Sequence, residues 1–564
     1  MICLGILAEK ATRSCLLITG GERDCSPRLL KCPVYLRYGG FSDMRQASHI
    51  AKRKQGACAQ RAAVLAVLIF LVGFPALAHV GSPDVFLEAN AGPYKLFVTV
   101  RVPQVIPGIA RIEIRSESND VREIRIAPMQ LTGPGSQYAP TPDVAERSKT
   151  DPQFFTGNLW LMEFGSLKVR VDVDGARGPA HLAVPVPAVA QRTLPMRKPL
   201  GFLLLTLMLI LAFAIVSIAS AAVREGDLPP GAISPPSKVR RSRLAMAVAA
   251  MVVLAVLFIG GEWWRADDAL FARRIYTPPE LTATFTSDGH LVLHQRPSRI
   301  AAGNPRRPAD AINFNNLILD HDHLMHFFMI RSPQMDSFWH LHPTPDGHGD
   351  FALALPSIPP GHYDLFADVV LSSGFPVTMV GQLDVSAITG KALSGDDSGA
   401  TVSPLSQGAT GSRQFSFPDG GRMVWRNDPL ALKANVPISF QFEVQNKDGK
   451  PARDVEPYMG MAAHAEIVRS DASVFAHVHP EGSVAMAALD LAQTGNSGAP
   501  TSQGEMAGMT GMDMPGMNVS SPSAPISPEI SFPYGFPKPG LYRIFVQIKR
   551  AGQIETAVFD ANVN

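Results

Sequence analysis

Two histidine-rich stretches decide how this chain folds: HFFMIRSPQMDSFWHLHP at residues 326–343 and HAEIVRSDASVFAHVHP at residues 464–480. They share a leading histidine, an Arg-Ser pair five residues later, a phenylalanine two positions before the second histidine, and a closing His-x-His-Pro. Self-similarity of this kind indicates an internal repeat. Each copy is an apolar run, a short polar turn and a second apolar run, which predicts an antiparallel β-hairpin.

The hairpin pattern predicts that three imidazoles converge in each copy. Alternate side chains of a strand share a face, so His-x-His places two histidines on one side, roughly 7 Å apart. Folding about the turn brings the leading histidine close to that pair. Three imidazoles make most of a site for copper, and zinc is possible as well. The candidate ligands are His326, His340 and His342 in the first copy and His464, His477 and His479 in the second.

The length, charge and cysteine content limit the function classes. A chain of 564 residues predicts several domains. Its 51 Lys and Arg against 49 Asp and Glu give no basic excess, so no nucleic-acid partner is expected. All five cysteines precede residue 60, so a metal bound further along must use histidine, methionine or carboxylate ligands.

The amino-terminal region has the layout of an export signal. From Met44, a basic segment, an apolar run and Ala76-Leu77-Ala78 predict a signal peptide over 44–78, or alternatively an uncleaved amino-terminal anchor. Residues 1–43 are interpreted as an over-long gene start and are expected to be disordered. Cleavage after Ala78 would leave His79 with a free amino group beside its imidazole, which together could chelate copper.

Two apolar runs predict transmembrane helices at 198–223 and 244–262. The loop between them, 224–243, carries most of the nearby basic residues. The positive-inside rule therefore places this loop in the cytoplasm and the flanking regions outside. Together with the signal segment, this predicts a protein of the bacterial inner membrane with most of its chain in the periplasm and the lipid bilayer as a partner.

The remaining chain shows short alternating apolar runs separated by Pro and Gly turns. This pattern is typical of β-sandwiches. We expect a mainly β fold with three immunoglobulin-like β-sandwich domains outside the membrane, in addition to the signal segment and two transmembrane helices. The predicted sandwiches cover 79–197, 277–386 and 413–564, and a Ser-, Gly- and Thr-rich linker, 387–412, separates the last two.

The second hairpin copy carries an insertion at about 485–530 that is rich in Gly, Ser, Thr and Pro. Thioethers are soft, neutral ligands that select Cu(I) or Ag(I) over zinc. Methionines surrounded by Gly, Pro and Asp are poorly placed for a hydrophobic core, so a copper-binding segment is favoured over plain low complexity. The methionines are Met506, Met509, Met512, Met514 and Met517.

The order of signal segment, β-domain ending in Trp160-Leu-Met, two close membrane helices and His-x-His-Pro domains resembles a group of uncharacterised bacterial membrane proteins. Their exported domains resemble YtkA-like and copper-resistance-carrier immunoglobulin-like sandwiches. The Met-rich run is similar to methionine motifs of periplasmic copper-handling proteins. The resemblance implies exchange of copper with a periplasmic carrier or a membrane copper transporter, and His79 is a counterpart of the carriers' amino-terminal histidine.

Three functions compete at this stage. The first is a membrane-anchored periplasmic protein that binds, buffers or delivers copper. The second is a cupin-like metalloenzyme, which is disfavoured because a cupin motif requires a Glu shortly after His-x-His and a further distant histidine. The third is a docking module without metal, in which the repeated histidines are only half-polar side chains of a duplicated hairpin. We find no catalytic motif, such as Gly-x-Ser-x-Gly or His-Glu-x-x-His, and therefore expect no enzyme.

Overall fold

The computed structural model describes residues 84–229, 231–286, 290–295, 316–405, 412–429, 431–494 and 526–564. The chain divides into two compact units, Met1–Leu77 and Ala78–Asn564, and every described residue belongs to the second. This part is mainly β, with several antiparallel sheets and two long apolar helices. The predicted signal segment, His79 and the Met-rich run lie outside the described residues.

The first pair of sheets encloses one apolar core, to which alternate residues of the strands contribute. A five-stranded sheet has the order β1-β2-β3-β7-β6, and a four-stranded sheet has the order β5-β4-β8-β9. A short 3₁₀ helix, Pro134–Gln137, follows the fourth strand. The strands are β1 (Val85–Ala91), β2 (Tyr94–Arg101), β3 (Gly108–Ser116), β4 (Val121–Gln130), β5 (Asp143–Val144), β6 (Glu146–Arg147), β7 (Phe154–Leu161), β8 (Gly165–Gly175) and β9 (Ala180–Ala188).

Two helices, α1 (Lys198–Glu225) and α2 (Pro236–Ala272), follow the first sheet pair. Both are long and apolar enough to cross a membrane, and their most apolar stretches are not buried against the rest of the described chain. The second helix is longer than the predicted span 244–262, because it begins in the basic segment and continues past Trp263 and Trp264. The connection between the helices is correspondingly short.

The second pair of sheets contains the first histidine hairpin. One sheet has the order β10-β11-β16-β15, and the other has the order β12-β17-β13-β14-β19, with β18 also pairing with β17. Strand β19 lies within the predicted linker 387–412 and extends the second of these sheets. The strands are β10 (Leu281–Phe285), β11 (His290–Gln295), β12 (Leu317–Ile318), β13 (His326–Arg331), β14 (Ser337–Leu341), β15 (Thr344–Pro345), β16 (Phe351–Ala354), β17 (Gly361–Leu371), β18 (Pro376–Val385) and β19 (Ser398–Thr401).

The third pair of sheets repeats this plan around the second hairpin. Its sheets have the orders β20-β21-β22-β26 and β23-β27-β24-β25, and β28 also pairs with β27. The predicted insertion begins as a helix, α3 (Met486–Thr494), that packs Leu489 into the first core. The strands are β20 (Gln414–Ser416), β21 (Arg422–Trp425), β22 (Ile438–Gln445), β23 (Val455–Glu456), β24 (His464–Arg469), β25 (Phe475–Val478), β26 (Glu529–Tyr534), β27 (Gly540–Arg550) and β28 (Gln553–Val563).

The strands of the two hairpins are buried on both faces, because the two hairpin-bearing sheets pack against each other. In β13, Phe327 and Met329 enter the core of the second sheet pair, whereas Phe328 and Ile330 enter a separate apolar cluster. That cluster also contains Phe475 and other side chains of the third sheet pair. Alternate side chains of one strand therefore serve two different cores.

The two repeats are related by a quasi-twofold pattern of contacts across this interface. Phe338 stacks on Phe545 with ring centroids 4.3 Å apart, and Phe475 stacks on Phe366 at 4.2 Å. Phe338 and Phe475 hold equivalent hairpin positions, and Phe366 and Phe545 hold equivalent positions in the strand after it. The hairpin of each repeat thus packs on the closing strand of the other, as in the isologous interface of a twofold dimer.

Candidate metal centre

The hairpin register brings the first set of predicted ligands together. Phe328 on β13 lies opposite His340 on β14, which leaves His326 near the end of the hairpin where His342 follows. The ring centroids of His326 and His342 are 5.1 Å apart. One ligand atom from each of the three histidines lies within 4.8 Å of the others. We refer to His326, His340 and His342 as the first triad.

Each ring of the first triad has an oxygen acceptor on its outer side. His326 Nε2 lies 3.1 Å from the carbonyl oxygen of Asp320, and His340 Nδ1 lies 2.8 Å from Gln547 Oε1. His342 Nδ1 lies 3.0 Å from a carboxylate oxygen of Asp397. Because these oxygens only accept, each ring donates its N–H outward.

The outward hydrogen bonds fix the tautomers of the three rings. A neutral imidazole has one N–H, so its other nitrogen carries a lone pair. The lone pairs are then on His326 Nδ1, His340 Nε2 and His342 Nε2. The first two of these atoms are 3.1 Å apart, and the third has no hydrogen-bond partner in the described protein. Outer oxygen partners that orient imidazoles in this way are typical of metal-binding histidines.

A second group of three histidines draws on both repeats. His321, His464 and His479 also place one ligand atom each within 4.8 Å of the others, and we refer to them as the second triad. His479 donates from Nδ1 to the carbonyl oxygen of Val484 at 3.2 Å, and its Nε2 has no hydrogen-bond partner among the described residues. His321 Nε2 and both nitrogens of His464 are likewise without one.

The second triad differs from the sequence prediction, which grouped His464 with His477 and His479. His321 takes the place of His477 because the turn before β13 reaches across the interface. The ring centroid of His321 lies 5.0 Å from that of His464 and 4.8 Å from that of His479. His477 lies between the triads instead, 5.2 Å from the ring of His326 and 5.5 Å from that of His464.

The predicted pair of separate sites is therefore one continuous histidine cluster on the quasi-twofold interface. Rings from the two hairpins approach one another at several points, such as His340 and His477 at 5.6 Å. His323 adds a further ring, stacked on His342 with centroids 3.8 Å apart. The eight members are His321, His323, His326, His340, His342, His464, His477 and His479.

Burial keeps the triad imidazoles neutral. Removal from water lowers the pKa of His326, His340 and His464 well below the usual value, and neighbouring histidines lower it further. Burial also lowers the pKa of His321 and His342, and it lowers the pKa of His479 to about 3. Neutral imidazoles present lone pairs to a metal without having to lose a proton.

Asp368 and Glu466 are acids beside the cluster. Burial raises the pKa of Asp368 to about 7, and Asp368 Oδ2 lies 3.6 Å from His477 Nδ1. Burial likewise raises the pKa of Glu466 well above the usual value. Glu466 is fully buried, its oxygens have no hydrogen-bond partner in the described protein, and His340 Nδ1 lies 3.8 Å from one of them.

The unpartnered polar atoms distinguish this cluster from an ordinary packed core. Buried polar groups in native proteins almost always have a hydrogen-bond partner. Leaving one without a partner costs roughly 1–3 kcal/mol. Here ring nitrogens of five histidines and both oxygens of Glu466 lack one in the described protein; the histidines are His321, His342, His464, His477 and His479. Such a concentration of free lone pairs is chemically suited to binding a cation.

A cavity of about 460 Å³ lies where the three sheet pairs meet, and it reaches the cluster. Its lining includes apolar side chains from every sheet pair, such as Val186, Phe375 and Phe475. His326, His477 and His479 form part of its wall. The cavity therefore connects the buried histidines with the junction between the sheet pairs.

Several residues of the cluster were missed by the sequence analysis. His321 and His323 form a further His-x-His in the stretch DHDHLMH at 320–326, and that local density of histidines was a usable signal. Gln547 and Asp397 gave no such signal, because their roles depend on contacts between distant parts of the chain. His79 and the five methionines of the predicted Cu(I) segment lie outside the described residues.

One known protein family matches part of the chain in sequence. Residues 418–564, which include the second hairpin and every strand of the third sheet pair except β20, match the family described as Domain of unknown function (DUF8832). No curated protein matches the chain.

Solved structures show only weak overall similarity. A tetra-tandem repeat from the extending region of a large adhesion protein has 8% identity and a TM-score of 0.13, covering 82% of this chain and 72% of that one. The ICAM-5 D1-D4 ectodomain fragment has 7% identity and a TM-score of 0.13, with coverages of 81% and 73%. The native conformation of E. coli alpha-2-macroglobulin has 8% identity and a TM-score of 0.16, with coverages of 87% and 22%. Scores this low do not establish a common fold.

Proposed function

We propose that this chain is a membrane-anchored metal-binding protein whose buried histidine cluster holds copper for buffering or delivery. The observation that carries the proposal is the arrangement of lone pairs in the first triad. Three neutral rings donate their N–H groups to outer oxygens. The remaining nitrogens of His326 and His340 face each other at 3.1 Å, and one ring nitrogen of each histidine lies within 4.8 Å of the others. Nitrogen ligands of this kind suit Cu(II) and Zn(II).

The choice of copper rests on the Met-rich run at 506–517 as well as on the imidazoles. Thioethers spaced two or three residues apart can surround a Cu(I) ion, whereas zinc prefers nitrogen, thiolate or carboxylate ligands. A peptide of residues 503–519 is expected to bind Ag(I), a redox-stable mimic of Cu(I), but not Zn(II). Methionine methyl NMR signals that do not shift with Ag(I) would remove this support.

The proposed location of the protein rests on the two apolar helices and on the basic residues between them. α1 and α2 would anchor the protein in the bacterial inner membrane, with the basic segment between them in the cytoplasm. The three sheet pairs would then be periplasmic β-sandwiches of immunoglobulin-like type, exported by the segment 44–78. In that compartment, the protein would exchange copper with a soluble carrier or a membrane transporter.

Elemental analysis of the full-length protein in detergent tests the proposal. Substituting leucine for all five methionines of the run and alanine for His79 removes the other candidate copper ligands from the measurement. This parent should retain two equivalents of copper or zinc after dialysis. His326→Ala with His342→Ala should remove one equivalent, and His464→Ala with His479→Ala should remove the other.

The matched control is His348→Ala with His362→Ala, two exposed histidines outside the cluster. This control should retain both equivalents. Equal metal content in all four proteins would show that the cluster does not bind metal, and a docking module without metal would then be the better account.

A further inference from the structure

The two repeats contain equivalent turns just before their hairpins. In the first, Asp320 and His323 exchange two backbone hydrogen bonds, of 2.8 and 3.0 Å. In the second, Tyr458 and Met461 exchange the same two bonds, also of 2.8 and 3.0 Å. Each turn starts six residues before the leading histidine of its hairpin. The quasi-twofold relation therefore extends to these turns.

The backbone angles support this equivalence. The central residues of the first turn, His321 and Asp322, have φ of 51° and 67°, and those of the second, Met459 and Gly460, have φ of 49° and 77°. Positive φ is uncommon for residues with a side chain and is a strained conformation that concentrates at functional sites. Met459 therefore holds the position of His321, and Met461 holds that of His323.

His321 contributes to the triad that contains histidines of the other repeat. Its ring is closer to His464 and His479 than to His326 of its own repeat, for which the centroid distance is 6.1 Å. Met459 is the quasi-twofold equivalent of His321. Its side chain is therefore expected to lie near the histidines of the other repeat, which form the first triad. The ligand from each turn then crosses the interface.

The second turn lies at the interface, near histidines of both triads. The ring of Tyr458 lies 5.2 Å from that of His464 in its own repeat and 6.5 Å from that of His340 in the first triad. The hydroxyl of Tyr458 donates to the carbonyl oxygen of Asp396, next to the Asp397 that orients His342. The backbone of Met459 lies within hydrogen-bonding reach of the His321 ring, so the two turns meet across the quasi-twofold axis.

We propose that Met459 supplies a thioether ligand to the first triad, which makes that site selective for a soft monovalent cation such as Cu(I). This inference rests on the proposed metal-binding function. The ligand set at the first triad is three imidazoles and one thioether, whereas that of the second is all nitrogen. Sulfur ligands favour Cu(I), and imidazoles alone accept Cu(II) and Zn(II). The repeat has therefore diverged into two sites of different chemical preference.

Three variants of the full-length chain test this inference, in the background where the five methionines of the run are leucine. Met459→Leu removes the sulfur and retains an apolar side chain of similar size. Met459→His copies the residue of the first turn and restores a ligand without sulfur. Met461→Leu is the matched control. Ag(I) affinity, Zn(II) affinity and X-ray absorption at the copper edge are measured for each.

Met459→Leu is expected to weaken Ag(I) binding at the first triad by at least about tenfold, because losing a ligand should cost no less than losing an outer-shell partner, which costs about 10- to 100-fold. Zn(II) binding at the second triad should be unchanged. The copper spectrum of the parent and of Met461→Leu should contain sulfur scattering, and that of Met459→Leu should not. Met459→His should bind copper without sulfur scattering.

Sulfur scattering that persists in Met459→Leu, or Ag(I) affinity equal to that of the parent, would overturn the assignment of Met459 while leaving the metal-binding function intact. A parent that binds neither Ag(I) nor Zn(II) would overturn both. If Met459→Leu does not fold, Met459→His decides the question, because its spectrum either lacks or retains sulfur.

Discussion

His326 Nδ1 and His340 Nε2 face each other at 3.1 Å, although each ring already donates its N–H to an oxygen on its opposite side. Two lone pairs at this distance repel unless a cation lies between or near them. A proton could serve, but burial lowers the pKa of both rings well below the usual value. A metal ion satisfies both nitrogens without requiring an imidazolium in a buried site.

Gln547→Leu is expected to lower metal affinity at the first triad about 10- to 100-fold, the usual effect of losing an outer-shell partner. The substitution removes the oxygen that holds the N–H of His340 outward, so the ring loses its preferred tautomer. Gln547 itself is held by donation from its amide nitrogen to Ser398 Oγ. Competition titration with a chromophoric chelator measures the affinity.

Gln547→Glu retains an acceptor and should preserve most of the affinity. Gln441→Leu makes the same chemical change at an exposed position of β22 and should have no effect. Parent-like affinity in Gln547→Leu would contradict the role given to this side chain.

The metal-free protein is expected to lose stability as pH falls from about 6.5 toward 3. The unfolded state binds more protons than the folded state across this interval, because burial lowers the pKa of seven of the cluster histidines, that of His479 to about 3. The other six are His321, His326, His340, His342, His464 and His477. Each such histidine contributes about 1.4 kcal/mol per pH unit. Acids whose pKa is raised by burial act in the opposite direction, because the stability they contribute is lost as pH rises. They are Asp84, Asp320, Asp368, Glu466, Glu481, Asp490 and Glu555.

Large shifts occur for five of the histidines but for two of these acids, Asp368 and Glu466, so the free energy of unfolding should decrease toward acid. The five histidines are His326, His340, His464, His477 and His479. Denaturant unfolding at several pH values measures the slope, and His479→Asn should reduce it. A free energy of unfolding that is constant between pH 6.5 and 4 would contradict the burial of neutral imidazoles.

Phe545→Ala is expected to destabilise the protein by about 3–5 kcal/mol, the range for a large aromatic side chain lost from a core. Phe545 is fully buried and stacks on Phe338 between the two repeats. Phe285→Ala removes a ring that is 43% exposed and should change stability by less than about 0.5 kcal/mol. Equal unfolding midpoints for the two variants would show that the repeats do not pack together in solution.

A cysteine introduced at Ala232, an exposed position between α1 and α2, is expected to resist a membrane-impermeant thiol reagent in intact cells. A cysteine at Asn119 in the first sheet pair, also exposed, should react under the same conditions in a cysteine-free background. The positive-inside rule gives this direction. Labelling of the cysteine at position 232 in intact cells would contradict the proposed orientation of the two helices.

The mainly β class, the two apolar helices and the close approach of His326, His340 and His342 could be predicted because they depend on local patterns. Strand alternation and a short turn fix which side chains of a hairpin share a face. The same logic placed His464, His477 and His479 on one strand pair, where His477 and His479 have ring centroids 4.6 Å apart.

The grouping of those histidines could not be predicted, because it depends on how two separate repeats face each other. His340 and Gln547 are 207 residues apart in sequence, and no periodicity links them. β13 and β24 have apolar residues on both faces, so the alternation of polar and apolar residues did not reveal which face meets the other repeat. That packing brings His321, and not the predicted His477, together with His464 and His479.

The most direct test of the central claim is X-ray absorption at the copper edge on the full-length protein with the Met-rich run replaced by leucines. The account predicts multiple scattering from imidazole rings around bound copper, reduced when His326 and His342 are alanine and reduced again when His464 and His479 are alanine as well. A spectrum dominated by oxygen ligands, and unchanged by these substitutions, would contradict it.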